Sequence, residues 1–271
     1  MATQKKAVKK KEEQAVATFD PTRFEDHAGA GFENADADSY AIPFLRILQS
    51  NSPQCTKSNG AYIKGAEEGM MINTVTEEIF NQDEEGLEVI PVDFQQKVIE
   101  WESDQPNSGL IEIHDIATGL DLIEKAERND RNKDILPNGH CLQAVREHYV
   151  LIVLGDALIP AIISMSSTQL KKSRRWMSVM NGIKMKGAKG TFTAPMFSNR
   201  YRLTTVVETK ESNSWMGWKI ELVGPVESND QVDQAVAFLD AIRSGVARAA
   251  DPVDLTAEET EGGVDKDDVP F

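Results

Sequence analysis

Two apolar runs flanking a two-residue polar turn limit the fold of this chain more than any other feature. His148 to Leu154 and Leu158 to Met165 are mostly aliphatic, with Gly155-Asp156 close to the middle between them. Branched and aliphatic residues on either side of such a turn predict an antiparallel hairpin. The surrounding sequence extends the pattern. Leu87 to Trp101 is rich in β-branched and aromatic residues and is interrupted by Pro91, so it predicts a long strand with a bulge or free edge at the proline. Ile72 to Phe80 and Leu110 to Asp115 predict further strands. Thr191 to Ala194, Arg200 to Thr209 and Trp215 to Val223 predict an antiparallel meander, with Tyr201, Leu203, Thr205 and Val207 on one face and Arg200 and Arg202 on the other.

Helices are few in this reading. Apolar residues at 44, 45, 47 and 48 suit a short buried helix or anchoring turn, ended at Ser52-Pro53. Leu120 to Asn129 reads as helical, and Arg128 to Gly139 as an exposed polar insertion. Ser166, Ser167 or Thr168 caps a helix to about Met180, with Gly182 as its terminator. Asp230 caps a last helix to about Ala249, striped by Val232, Val236, Leu239, Ile242 and Val246. The expected fold class is mixed but mainly β, an antiparallel barrel with a few helices. The expected organisation is a disordered tail at 1–39, a core at 40–226, a helix at 229–249 and a disordered acidic tail at 250–271.

Composition excludes several classes. With 271 residues the chain can bury a full core in one large or two small domains. No run approaches the roughly 18 apolar residues of a membrane helix. The Lys-rich start lacks the apolar run of a secretory signal. Cys55 and Cys141 stand far apart and predict a reducing cytoplasm. His27, His114, His140 and His148 show no metal-ligand spacing, although His140-Cys141 and His148 can be assembled into a site on paper. No phosphate-cradling Gly-Lys loop is present, so neither an enzyme nor a cofactor is expected.

The charge is segregated. The formal net charge is −15, yet Met165 to Thr205 holds nine basic residues and no acid. These are Lys171, Lys172, Arg174, Arg175, Lys184, Lys186, Lys189, Arg200 and Arg202, interleaved with Trp176, Phe192, Phe197 and Tyr201. Cations hold phosphates and flat rings stack on unpaired bases, so this stretch predicts a surface for single-stranded nucleic acid. At 100° per residue Leu170, Ser173, Met177 and Met180 share a helix face with Trp176 beside them, while Lys171, Lys172 and Arg175 lie opposite. Lys184 to Gly190 reads as a flexible loop. Trp176 suits the core better than a stacking role, and Phe192, Phe197 and Tyr201 are open between the two.

From Asp251 the chain carries eight acids and one lysine, and it ends Asp267-Asp268-Val269-Pro270-Phe271. An apolar plug behind aspartates suits docking into a partner's basic-rimmed pocket. This ending resembles the tip of bacterial single-stranded DNA-binding proteins, which finish in aspartates followed by Ile-Pro-Phe, with Val269 in place of the Ile. It is also similar in plan to the replication single-stranded DNA-binding proteins of short-tailed phages. Pro43-Phe44-Leu45-Arg46 and the segment Ser164 to Ser173 resemble phage and prophage proteins. The resemblance implies an oligonucleotide-binding (OB) barrel and a role in replication, recombination or repair. It also implies a tail that recruits partner proteins in a bacterial host cytoplasm, with a homo-oligomer possible. A single-strand annealing recombinase and a protein–protein adaptor are the competing readings.

Overall fold

A computed structural model describes residues 21–28, 30–31, 41–80, 86–105, 108–210 and 213–250. The chain divides into two units, residues 1–35 and 36–271. In the first, Pro21–His27 forms a 3-10 turn within the segment expected to lack structure. The rest of that expectation, and the acidic tail, lie outside the described residues.

The second unit holds thirteen strands and three α-helices among its described residues. In chain order they begin with β1 (Leu45–Ile47), β2 (Met71–Asn73), β3 (Ile79–Phe80), β4 (Leu87–Trp101) and β5 (Leu110–Asp115). Then come α1 (Ile116–Lys125), β6 (Glu127–Arg128), β7 (Asp134–Ile135), β8 (Cys141–Leu154) and β9 (Ala157–Ser166). They are followed by α2 (Leu170–Gly182), β10 (Lys184–Gly187), β11 (Gly190–Thr193), β12 (Asn199–Lys210), β13 (Asn213–Pro225) and α3 (Asn229–Arg243).

β8 and β9 form the hairpin that the apolar runs predict, with Gly155 at φ +60 in its turn. β8 pairs with β4 from Val89 to Trp101, and the register between them shifts between Pro91 and Asp93. Proline has no N–H to give the ladder, so the strand bulges there. The main sheet runs β13-β12-β4-β8-β7-β6, with β5 on β4 and β9 on β8. It is an antiparallel half-barrel and it stays open. The expectation of a mainly β, antiparallel fold with few helices holds, and of the expected barrel the described residues form an open half.

The middle of the sheet is buried on both faces. Val89, Val150, Ile152, Ile163, Met165, Tyr201 and Leu203 join Trp176 and Met180 of α2 in one cluster. The alternate residues Ile90, Val92, Tyr149, Leu151 and Ile162 join Phe238 and Ile242 of α3 in another. Two-sided burial explains why Tyr149 to Leu154 is continuously apolar rather than alternating.

Several expectations are corrected. Residues 44–48 give a strand instead of a helix, since Phe44 bridges Ile162 and Leu45–Ile47 pairs with β2. Ile72 to Phe80 breaks into β2 and β3 because the Asn73 side chain accepts the N–H groups of Val75 and Thr76 and turns the chain. α1 starts four residues early, capped by Asp115, whose carboxylate accepts from Ala117 and Thr118. The polar insertion folds into the small β6–β7 hairpin, held by the Arg128–Asp134 ion pair. β11 pairs with β10 and not with β12, so the meander is only the β12–β13 pair. Ser228, not Asp230, caps α3, which stops at Arg243 with Gly245 at φ +74 just beyond. Its buried face is Ala235, Phe238 and Ile242, while Val236 and Val246 are exposed.

Candidate nucleic-acid interface

α2 is seated by its polar neighbours as well as its apolar face. The residue before the helix is Gln169, which makes no side-chain cap bond, and Ser167 sits at φ +49. The Arg146 guanidinium instead donates to the Leu170 carbonyl at 2.9 Å, and Ser173 meets His148 Nε2 at 2.8 Å. Gln169 binds the Glu208 carboxylate and accepts the Trp218 N–H. Below the helix, rings follow one another. Phe94 lies 5.0 Å from His148, His148 stacks on Trp176 at 4.6 Å, and Trp176 meets the edge of Tyr201 at 5.6 Å.

Burial decides the chemistry of this ladder. Desolvation drops the His148 pKa to about 3, with the nearby Arg146 charge adding to it, so the ring is neutral in solution near pH 7. Burial also pushes the Tyr201 hydroxyl up to about 12. Trp176 and Tyr201 are 2% and 1% exposed and belong to the core, which removes them from any base-stacking surface. Phe197 is half-buried against the α3 side of the sheet.

The nine cations separate into two sets. Lys172 pairs with Glu208, Arg200 with Glu88 and Glu227, and Arg202 with Glu88. Those acids lie outside the acid-free stretch, Glu88 on β4, Glu208 near the end of β12 and Glu227 just beyond β13. Register places Arg202 directly across from Glu88. The other six, Lys171, Arg174, Arg175, Lys184, Lys186 and Lys189, are exposed. Lys171, Arg174 and Arg175 share the outer stripe of α2 at helical spacing.

The predicted flexible loop is instead the β10–β11 hairpin, hung from the end of α2. Ala194 donates to the Ile183 carbonyl, and the Lys184 ammonium reaches the Asn181 carbonyl at 3.0 Å and Thr193 Oγ1 at 2.7 Å. Register puts Lys184 and Lys186 opposite Thr193 and Thr191 on one face, and Met185 opposite Phe192 on the other. Phe192 is 48% exposed and lies over Gly187, where a Cβ would come within 3.1 Å of the ring. Cations and ring therefore line the two faces of one ribbon.

The paper site of His140, Cys141 and His148 is not assembled. His148 is fully buried under α2, and Cys141 packs with Ile99, Trp101 and Val145. Burial raises the Cys141 thiol to about 11, which makes it unreactive. His140 turns to Glu100 instead. No helix among the described residues is long and apolar enough to cross a membrane.

Among known proteins, the model of a family described as Pam3 phage gp34-like protein matches residues 10–248. No curated protein and no solved structure matches the chain.

Proposed function

The chain belongs to the Pam3 phage gp34-like family, and for this phage protein we propose sequence-independent binding of single-stranded DNA in replication or recombination. One observation carries the reading: six exposed cations gather on a single helix and the hairpin that follows it, in a chain whose net charge is −15. Local potential, rather than net charge, is what a phosphate meets first. Lys171, Arg174 and Arg175 track phosphates along α2, and Lys184, Lys186 and Lys189 extend the track. Phe192 offers the exposed ring for a base, a contact worth about 1–3 kcal/mol where it forms. An OB-like role for the curved sheet, with α2 packed on one face, belongs to the same proposal. So do partner recruitment through Asp267, Asp268, Val269, Pro270 and Phe271, and action in the host cytoplasm.

The lysine face of the β10–β11 ribbon favours a second reading, insertion into a duplex groove, which ribbons of two strands can enter. Anisotropy titration with oligo-dT and with a duplex of equal length, across a salt series, separates the two. Preference for oligo-dT with a log–log slope of up to about −4, six cations at roughly −0.7 each, supports the proposal. Equal or tighter duplex binding supports the ribbon reading, and no binding of either at low salt removes both.

A further inference from the structure

A second polar cluster stands on β4 and β5, distant in sequence from the basic stretch. Glu100 of β4 lies directly across from Glu112 of β5, and Val98 lies across from His114. Residues two apart on a strand share a face, so Glu100, Glu112 and His114 project together. On the other side Glu100 faces Leu142 of β8, and His140 comes two residues before it. A tight turn fixes His140, with the Leu136 N–H on the His140 carbonyl at 2.8 Å and Gly139 at φ +90. The Asn138 side chain accepts the His140 N–H at 3.0 Å.

The Glu100 carboxylate is bracketed by imidazoles. His114 Nε2 lies 2.7 Å from Oε2, and His140 Nδ1 lies 2.5 Å from Oε1. Glu100 and His114 are each 8% exposed, whereas the Glu112 side chain is 66% exposed and opens the cluster to solvent. The two histidines hold the Glu100 pKa below its ordinary value, hydrogen bonding from His140 leading and burial opposing. One donor atom each from Glu100, Glu112 and His114 lies within 4.8 Å of the others. Zinc bonds of about 2.0–2.1 Å place tetrahedral donors roughly 3.3 Å apart, so binding requires the Glu100–His114 hydrogen bond of 2.7 Å to open and the Glu112 carboxylate, 4.0 Å from His114 Nδ1, to swing in.

We propose that Glu100, Glu112 and His114 bind a divalent first-row transition cation, Zn2+ foremost, with His140 as the outer partner that orients Glu100. Two carboxylates and a neutral imidazole balance the charge of such an ion. Imidazole nitrogen in a three-residue set favours zinc over calcium or magnesium, which demand oxygen donors in larger number. The second oxygen of Glu100, held by His140, matches the way outer hydrogen bonds fix carboxylate ligands. Three protein donors leave a coordination position for water, and the ion ties β5 to β4 where their pairing is short. This site stands independently of the nucleic-acid reading.

The experiment is calorimetric titration of chelator-stripped full-length protein with Zn2+, with Mg2+ and Ca2+ in parallel. One equivalent of Zn2+ and no Mg2+ or Ca2+ binding is expected. Glu100→Gln and His114→Ala should weaken Zn2+ at least 100-fold, and His140→Ala by about 10–100-fold. Glu112 is exposed, so Glu112→Gln keeps the fold testable should a buried variant fail, and it should weaken Zn2+ at least tenfold. Less than one equivalent, or affinity unchanged in Glu112→Gln, overturns the proposal.

Discussion

His148 shows how one buried titratable group ties stability to pH. Its folded pKa of about 3 is below the ordinary value of 6.5, so the native state binds fewer protons than the unfolded chain between those values. The associated stability is complete above about pH 6.5 and is lost as pH falls toward 3, by up to about 1.4 kcal/mol per unit. Urea unfolding at pH 7 and 5.5 should show a larger loss for the wild type than for His148→Gln; parallel losses would mean that the ring is solvated. The cations divide in the same residue-by-residue way. Arg175→Gln and Lys186→Gln should weaken oligo-dT binding without a change in unfolding midpoint. Arg202→Gln, which removes a partner of Glu88, should leave binding nearly intact and destabilise by about 0.5–1 kcal/mol. From sequence alone all nine cations look equivalent, because Glu88 and Glu208 become partners only when distant elements meet.

At the scale of the element, local chemistry was readable wherever one segment decides its own form. Pro91 marks the β4 bulge, Gly155-Asp156 marks the central turn, and the stripe of Leu170, Ser173 and Met180 marks the buried face of α2. It was unreadable where a side chain serves two elements at once. Asp115 ends β5 and also caps α1, so a strand signal hides the helix start. The apolar positions 44, 45, 47 and 48 fit a helix until the bridge from Phe44 to Ile162 draws them into a sheet. Glu112 and His114, spaced i to i+2 on a strand, carried a faint signal of a shared face, but the pairing with Glu100 was invisible. Packing gives α1 a sharp test. A Cβ on Gly119 would meet Val98 Cγ2 at 2.3 Å and Cβ at 2.5 Å, both on β4. Gly119→Ala should therefore destabilise by about 1–3 kcal/mol, although alanine gains about 1 kcal/mol of helix propensity. Gly182 meets nothing within 4 Å, so Gly182→Ala should be neutral or stabilising. Urea midpoints moving the same way in both variants would remove the close-packing argument.

For the whole molecule the question is how a chain of net −15 presents a cationic surface at all. The tail from Asp251 holds net −7, eight acids less Lys266, so removing residues 251–271 leaves −8. If that tail covers the basic surface until DNA displaces it, the truncated protein should bind oligo-dT more tightly at low salt. The gain should fade as the Debye length contracts from about 10 Å at 0.1 M to about 3 Å at 1 M. A general loss of negative charge would also tighten binding, so affinity alone does not identify the cause. A synthetic peptide of residues 251–271 added to the truncated protein makes the distinction. Occupancy of α2 and the β10–β11 hairpin by the tail requires the peptide to compete with oligo-dT, and Arg175→Gln should weaken that competition. A gain in affinity without competition assigns the effect to net charge, and unchanged affinity after truncation eliminates the displacement mechanism.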